Sequence, residues 1–195
     1  MLNTLTGAWR IPELRKKLMF TFFILLLYRI GSAIPVPFVD TDAMVRYYDN
    51  NLANTILGLY NAMSGSAFSQ ASVLALGIQP YINSSIIIQL LTVAIPALER
   101  MAKEEGEEGK KKIDRITRFT TVGLGLLLGF AYYTMISGGG VLTSDAKGFL
   151  PGLVIVLAFA AGSSVVMWMG EQITEFGIGN GISMILFAKI GRAHV

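Results

Sequence analysis

The sequence predicts an all-α membrane protein, and three observations carry that prediction. Four apolar stretches, at about Leu18–Pro37, Val73–Leu98, Phe119–Ser137 and Phe149–Met169, approach or exceed the ~20 residues a helix needs to cross a ~30 Å hydrocarbon layer. A fifth begins at Gly181. Basic residues crowd onto alternate connections between the stretches. Finally, 53% of the residues are hydrophobic against 15% charged, and the abundant glycine suits membrane helices, where close approach replaces the hydrophobic drive of water.

The basic residues also orient the chain. Arg10, Arg15, Lys16 and Lys17 precede the first stretch, and Arg100, Lys103, Lys110, Lys111, Lys112, Arg115 and Arg118 follow the second. The other connections hold only Arg46 and Lys147, so the bias is eleven to two. Positive charge marks the cytoplasmic side, which predicts an N-terminus inside, with residues 1–17 a cytoplasmic segment. These basic residues sit at membrane boundaries with few interleaved aromatics, so they do not predict nucleic-acid binding.

Taken in order, the elements differ in character. A basic start followed by Phe22–Leu27 fits a signal peptide, but three further spans predict a retained first helix. Its one charge, Arg29, is expected to snorkel outward or meet a partner helix. Leu52 to Phe68 is apolar only in part, interrupted by Asn54, Asn61, Ser64, Gly65 and Ser66, which predicts a short helix folded back into a cavity. An amphipathic helix lying on the outer surface is the alternative. In the second span Pro80 predicts a bend near the helix start. Ile78, Ile82 and Ile86 share one face, and the polar Asn83, Ser84, Ser85 and Gln89 predict a helix facing protein.

Gly125 and Gly129 form a G-x-x-x-G pair in the third span, with Gly123 and Ala131 extending the small surface, and Ala158, Ala161 and Gly162 do the same in the fourth. Gly138-Gly139-Gly140 reads as a turn outside the membrane, and Glu104 to Lys112 as a solvated loop. Glu171 and Glu175 lack accompanying His or Asp, so a surface or interface role is expected rather than metal binding. Gly177-Ile178-Gly179-Asn180-Gly181 is not G-x-G-x-x-G and follows a membrane helix, so it reads as a tight cytoplasmic break before a new helix. With no cysteine there is no thiolate chemistry or disulfide framework.

At this point the residues become recognisable. Ala75-Leu76-Gly77-Ile78-Gln79-Pro80-Tyr81-Ile82 with Ser85-Ile86-Ile87-Ile88-Gln89-Leu90-Leu91 closely resembles the second span of the SecY family, the channel subunits of the Sec protein translocase. Gly106 to Ile113, Met167 to Glu175 with Gly177 to Ser183, and Arg29-Ile30-Gly31-Ser32 with Ile34-Pro35-Val36-Pro37 are similar to that family's next loop, its fourth-to-fifth span junction and the end of its first span. The resemblance covers roughly Ala8 to Ala188. It implies the N-terminal five-helix half, residues 18–188, of an inverted-repeat ten-helix channel with a re-entrant plug helix at about 56–69. The plug positions are Ile56, Leu57, Tyr60, Asn61, Met63, Ser64 and Gly65. The resemblance also implies a pore ring contributed by Ile78, Ile82, Ile182 and Leu186, the last in place of the Ile often found there. One wall of a lateral gate would carry Ile86, Ile87, Leu90 and Leu91.

The implied function is passage of unfolded polypeptides across the cytoplasmic membrane and release of apolar segments into lipid. The implied partners are SecE and SecG subunits, a SecA motor or ribosome, and secretory and membrane-protein clients, with no cofactor and no catalysis. A secondary transporter, which shares inverted repeats and broken helices, is the alternative. Against it stand an aliphatic waist and a single charge within the spans. The tail, residues 189–195, departs from the family. Ile190 to Val195 is also what a common short-read sequencing adapter encodes in one frame, so this tail is expected to be non-native, leaving His194 without a role.

Overall fold

The computed structural model describes residues 11–103, 106–146 and 148–190. Arg10, Lys147 and the tail residues 191–195, with the expectations placed on them, lie outside these. Among the described residues eight helices follow one another: α1 Pro12–Gly31, α2 Thr41–Asn51, α3 Ile56–Ser64, α4 Gln79–Ala94, α5 Pro96–Lys103, α6 Gly106–Gly138, α7 Phe149–Phe176 and α8 Gly181–Ile190.

Two of these, α6 and α7, are by length and composition able to cross a membrane alone. The other expected spans are built differently. The expected first helix, Leu18–Pro37, is displaced: α1 starts at Pro12, spends its first turns on Glu13, Arg15, Lys16 and Lys17, and stops at Gly31. Beyond it the chain runs outside any helix to Asp40, through turns and a left-handed Phe38 (φ 67°). Val36 donates its N–H to the Ala71 carbonyl and Val73 to the Ile34 carbonyl, and further on Asp40 donates to Val141 and Thr143 to Phe38. Prolines 35 and 37 explain the stop, since neither can donate to a helical ladder. Arg29 lies exposed in the last turn of α1, where its charge favours the helix C-terminus.

The expected second helix, Val73–Leu98, is likewise broken. Pro80 does not bend it; it occupies the first turn of α4, where a missing N–H costs nothing. The bend falls at Pro96 instead, and α5 leaves α4 at 102°. Pro96 removes a donor and holds Ile95 extended at φ −110°, ψ 113°, as the residue before a proline prefers. Ahead of α4, residues 65–78 run as successive turns through three left-handed residues outside any helix interior, Gly65 (φ 64°), Ser66 (φ 65°) and Ala71 (φ 46°), and then Gly77 (φ 55°). The stretch Gly106–Lys112, expected as part of a loop, forms the first turns of α6; Glu and Lys are good helix formers, and α5 packs alongside.

The packing follows the small residues. A methyl on Gly125 would meet Ser163 Oγ at 2.8 Å and one on Gly129 the Val156 carbonyl at 3.1 Å, so α6 and α7 touch nearly backbone to backbone. Gly123 faces open space and Ala131 is exposed; the expected extension of the small surface through them does not occur, because both lie off the face that meets α7. On α7 the tightest point is Gly162, where a Cβ would lie 1.9 Å from the Val73 carbonyl.

Two hydrophobic cores result. One gathers Val36, Met44, Phe68, Tyr132, Ile136, Ile155 and Phe159, among others. The second gathers Ile24, Tyr28, Leu74, Ile78, Val166, Met169, Ile173 and Ile185 around α1, α7 and α8.

Candidate functional site

The candidate waist is assembled by two helix starts. Ile78 precedes α4 directly after left-handed Gly77, is fully buried, and accepts N–H groups of Tyr81 and Ile82 on its carbonyl. Ile182 and Leu186 come from α8. That helix is capped by the Asn180 side chain, whose Oδ1 accepts from the Ile182 and Ser183 amides at 3.0 and 3.2 Å, as an N-cap should. Thr174 Oγ1 accepts from the Gly181 amide at 2.9 Å. The expected break at Gly177–Gly181 is present, and its function is geometric: a Cβ on Gly181 would lie 1.9 Å from the Gly170 carbonyl. A Cβ on Gly170 would in turn meet Ile78 Cδ1 at 3.4 Å, Ile185 Cδ1 at 3.6 Å and Ile182 Cγ1 at 3.9 Å.

The structure therefore brings Ile78 and Ile182 together over Gly170, with Ile82 and Leu186 half-buried at the edge of the same cluster. Sequence reasoning missed Ile185, which is fully buried. Its spacing of three from Ile182 was the available signal. At the far end of α8, Lys189 is buried, its ammonium 5.9 Å from the centroid of the Tyr28 ring.

The short helix α3 folds back against the bundle, with Ile56 and Leu59 exposed. It packs against α8, and Tyr60 donates its hydroxyl toward the Leu76 carbonyl at 3.2 Å. Thr55 caps its start by accepting the Leu57 amide at 3.2 Å, and Gly65 ends it in the left-handed region. The helix is shorter than the expected 56–69, because Asn61 and Ser64 redirect the chain. Asn61 Oδ1 accepts the Ser69 amide at 2.9 Å and Ser64 Oγ the Phe68 amide at 3.2 Å, an alternative to helical pairing that these side chains offer. Leu57 is half-buried while Ile56 is 85% exposed; the side chain of Met63 lies outside the described residues.

Along α4, Ile86, Ile87, Leu90 and Leu91 are all exposed and form an apolar strip. Ile86 and Ile87, with Asn83 and with Leu124 and Leu128 of α6, line an open cleft of about 310 Å³. A larger cleft of about 490 Å³ adjoins it between α3, the start of α4 and α6, lined by Leu57, Tyr60, Gln79, Leu128, Tyr132 and Met135 among others. Arg118 Nε donates to Glu171 Oε1 at 2.9 Å, so Glu171 takes part in the α6–α7 contact as expected. No group of three or more His, Cys, Asp or Glu gathers among the described residues.

An all-helical, apolar bundle with a broken second span and a helix folded back beneath a cluster of aliphatic side chains defines one half of an α-helical membrane channel. The chain belongs to the SecY family: that family's model matches residues 72–195. It is 43% identical to the protein translocase subunit SecY of Streptomyces scabiei over 97% of this chain and 45% of that relative. It is 45% identical to the Pseudomonas aeruginosa subunit over 92% and 40%, and 41% identical to that of Thermus thermophilus over 97% and 44%. The chain thus spans less than half the length of these relatives. The fold is similar to that of Sec61 in the canine ribosome–channel complex from the endoplasmic reticulum and to the structure of a protein-conducting channel. Each match has a TM-score of 0.63 at 18% identity, covering 91% of this chain and 36% of that one.

Proposed function

We propose that this chain is the N-terminal, five-helix part of a protein-conducting channel subunit, which passes unfolded polypeptides across a cytoplasmic membrane and releases apolar segments sideways into lipid. The observation that carries the reading is the convergence of Ile78, Ile182 and Ile185 over Gly170 with α3 folded back beside α8. An aliphatic constriction blocks ions by dewetting yet yields to a passing chain. In this reading Ile78, Ile82, Ile182 and Leu186 contribute to the ring, α3 is the plug, and Ile86, Ile87, Leu90 and Leu91 form one wall of the exit to lipid. The partners are SecE and SecG subunits and a SecA motor or a ribosome; the canine relative is itself named for a ribosome–channel complex. The aliphatic waist supports a channel over a transporter, whose site calls for polar ligands near the midplane.

Ion conductance of the idle full-length channel tests this. Serine at Ile78, Ile82, Ile182 and Leu186 is expected to wet the constriction and raise the leak, while serine at exposed Leu127 leaves it at the starting level. Ring variants as tight as the unmodified channel would sink the assignment. The N-terminus is proposed to be cytoplasmic; single cysteines at Lys111 and Ser144 should then label from opposite sides, and labelling from one side refutes it.

A further inference from the structure

Phe68, just past the plug helix, is one point where that part of the chain is tied to the rest of the molecule. Its ring meets Tyr60 at 5.2 Å, Tyr132 at 4.8 Å and Tyr48 at 6.4 Å between centroids, each edge to face. Tyr132 continues the series to Phe159 of α7 at 4.6 Å. The polar tie is sharper still: the Tyr132 hydroxyl donates to the Phe68 carbonyl at 2.6 Å, both residues being buried. Tyr132 stands on α6, the helix that lines the clefts facing α4. The Phe68 carbonyl also accepts the Ala71 amide at 3.1 Å within its own turn, so the Tyr132 hydroxyl is its second donor and the one that reaches another element.

We infer that Tyr132 is a positioning residue whose hydroxyl holds the plug segment to α6 in the idle channel. This rests on the channel reading above. The tie is specific to Tyr132: the neighbouring Tyr133 points to the other face, where its ring lies against Gly152. Phenylalanine at position 132 keeps the edge contacts with Phe68 and Phe159 and removes only the hydroxyl.

The test uses the full-length subunit in its assembled channel in lipid vesicles, cleared of any other cysteines, with spin labels on cysteines placed at Ile56 of α3 and Thr134 of α6, both exposed. Their distance distribution is measured by pulsed electron resonance without a client. Tyr132→Phe is expected to enlarge the longer-distance population about fivefold, the ratio that loss of one buried hydrogen bond of ordinary strength produces; Tyr133→Phe leaves it unchanged. Coincident distributions for Tyr132→Phe and the unmodified channel overturn the inference, as does an equal shift in Tyr133→Phe. Ile78→Ser in the same preparation separates the two claims. If it leaks while Tyr132→Phe leaves the distances unmoved, this inference alone fails; if it stays tight, the channel reading fails.

Discussion

The α6–α7 pair and the short helix α3 are held by different means. Between α6 and α7 the contact is nearly steric: Gly125 against Ser163 and Ala160, Gly129 against Val156 and Phe159, Gly152 under the Tyr133 ring. Helix α3 is joined to the chain that follows it through a few directed bonds, from Tyr60, Asn61 and Ser64 to and from the backbone, and Tyr132 holds that chain at Phe68. Close packing resists displacement in every direction, because any shift forfeits many small contacts at once. Directed bonds can be released one at a time, each worth about 1 kcal/mol net. The first arrangement suits a fixed frame, the second an element that changes position.

Substitutions sharpen or break this contrast. The largest effect is expected at Gly162, where a methyl would collide with the Val73 carbonyl. Gly162→Ala should destabilise the full-length subunit by about 3 kcal/mol, read as a lowered thermal midpoint in detergent, and an unchanged midpoint would show the frame to be soft. Next, Gly129→Ala should cost about 1–2 kcal/mol, whereas Gly123→Ala, facing open space, should stabilise by roughly 0.5–1 kcal/mol through helix propensity. Equal effects at the two glycines would remove the steric account. Asn61→Ala should leave the global midpoint in place while the Ser69 amide exchanges about fivefold faster, the signature of a local tie of about 1 kcal/mol. Smallest of all, Arg118→Gln should cost at most ~1 kcal/mol, because the pair with Glu171 is half-exposed, and the difference should vanish in 1 M salt.

How much of this was legible depended on whether a feature is written locally. The G-x-x-x-G of Gly125 and Gly129, the break at Gly177–Gly181 and the short helix near Ile56 were readable, because each is a pattern within a few residues. The role of each proline was not: a proline opens one helix at Pro80 and breaks the path at Pro96, and only the neighbouring packing tells which. The helical start of α6 was hidden because charge suggests solvent while Glu and Lys also favour helix. The ring positions Ile78, Ile82, Ile182 and Leu186 came from family resemblance, and the structure gathers them in one cluster. Ile185 is not among the positions that resemblance carries. The tie between Tyr132 and Phe68 spans 64 residues, and nothing in either local sequence announces it.

Ser66 and Ala71 hold left-handed backbone angles without being glycine, a strain of about 1–3 kcal/mol each. The surroundings therefore hold the segment cocked, and any rearrangement that lets both residues relax recovers that energy as recoil. Glycine at both positions would remove that strain, at the loss of the buried Ala71 methyl from its core.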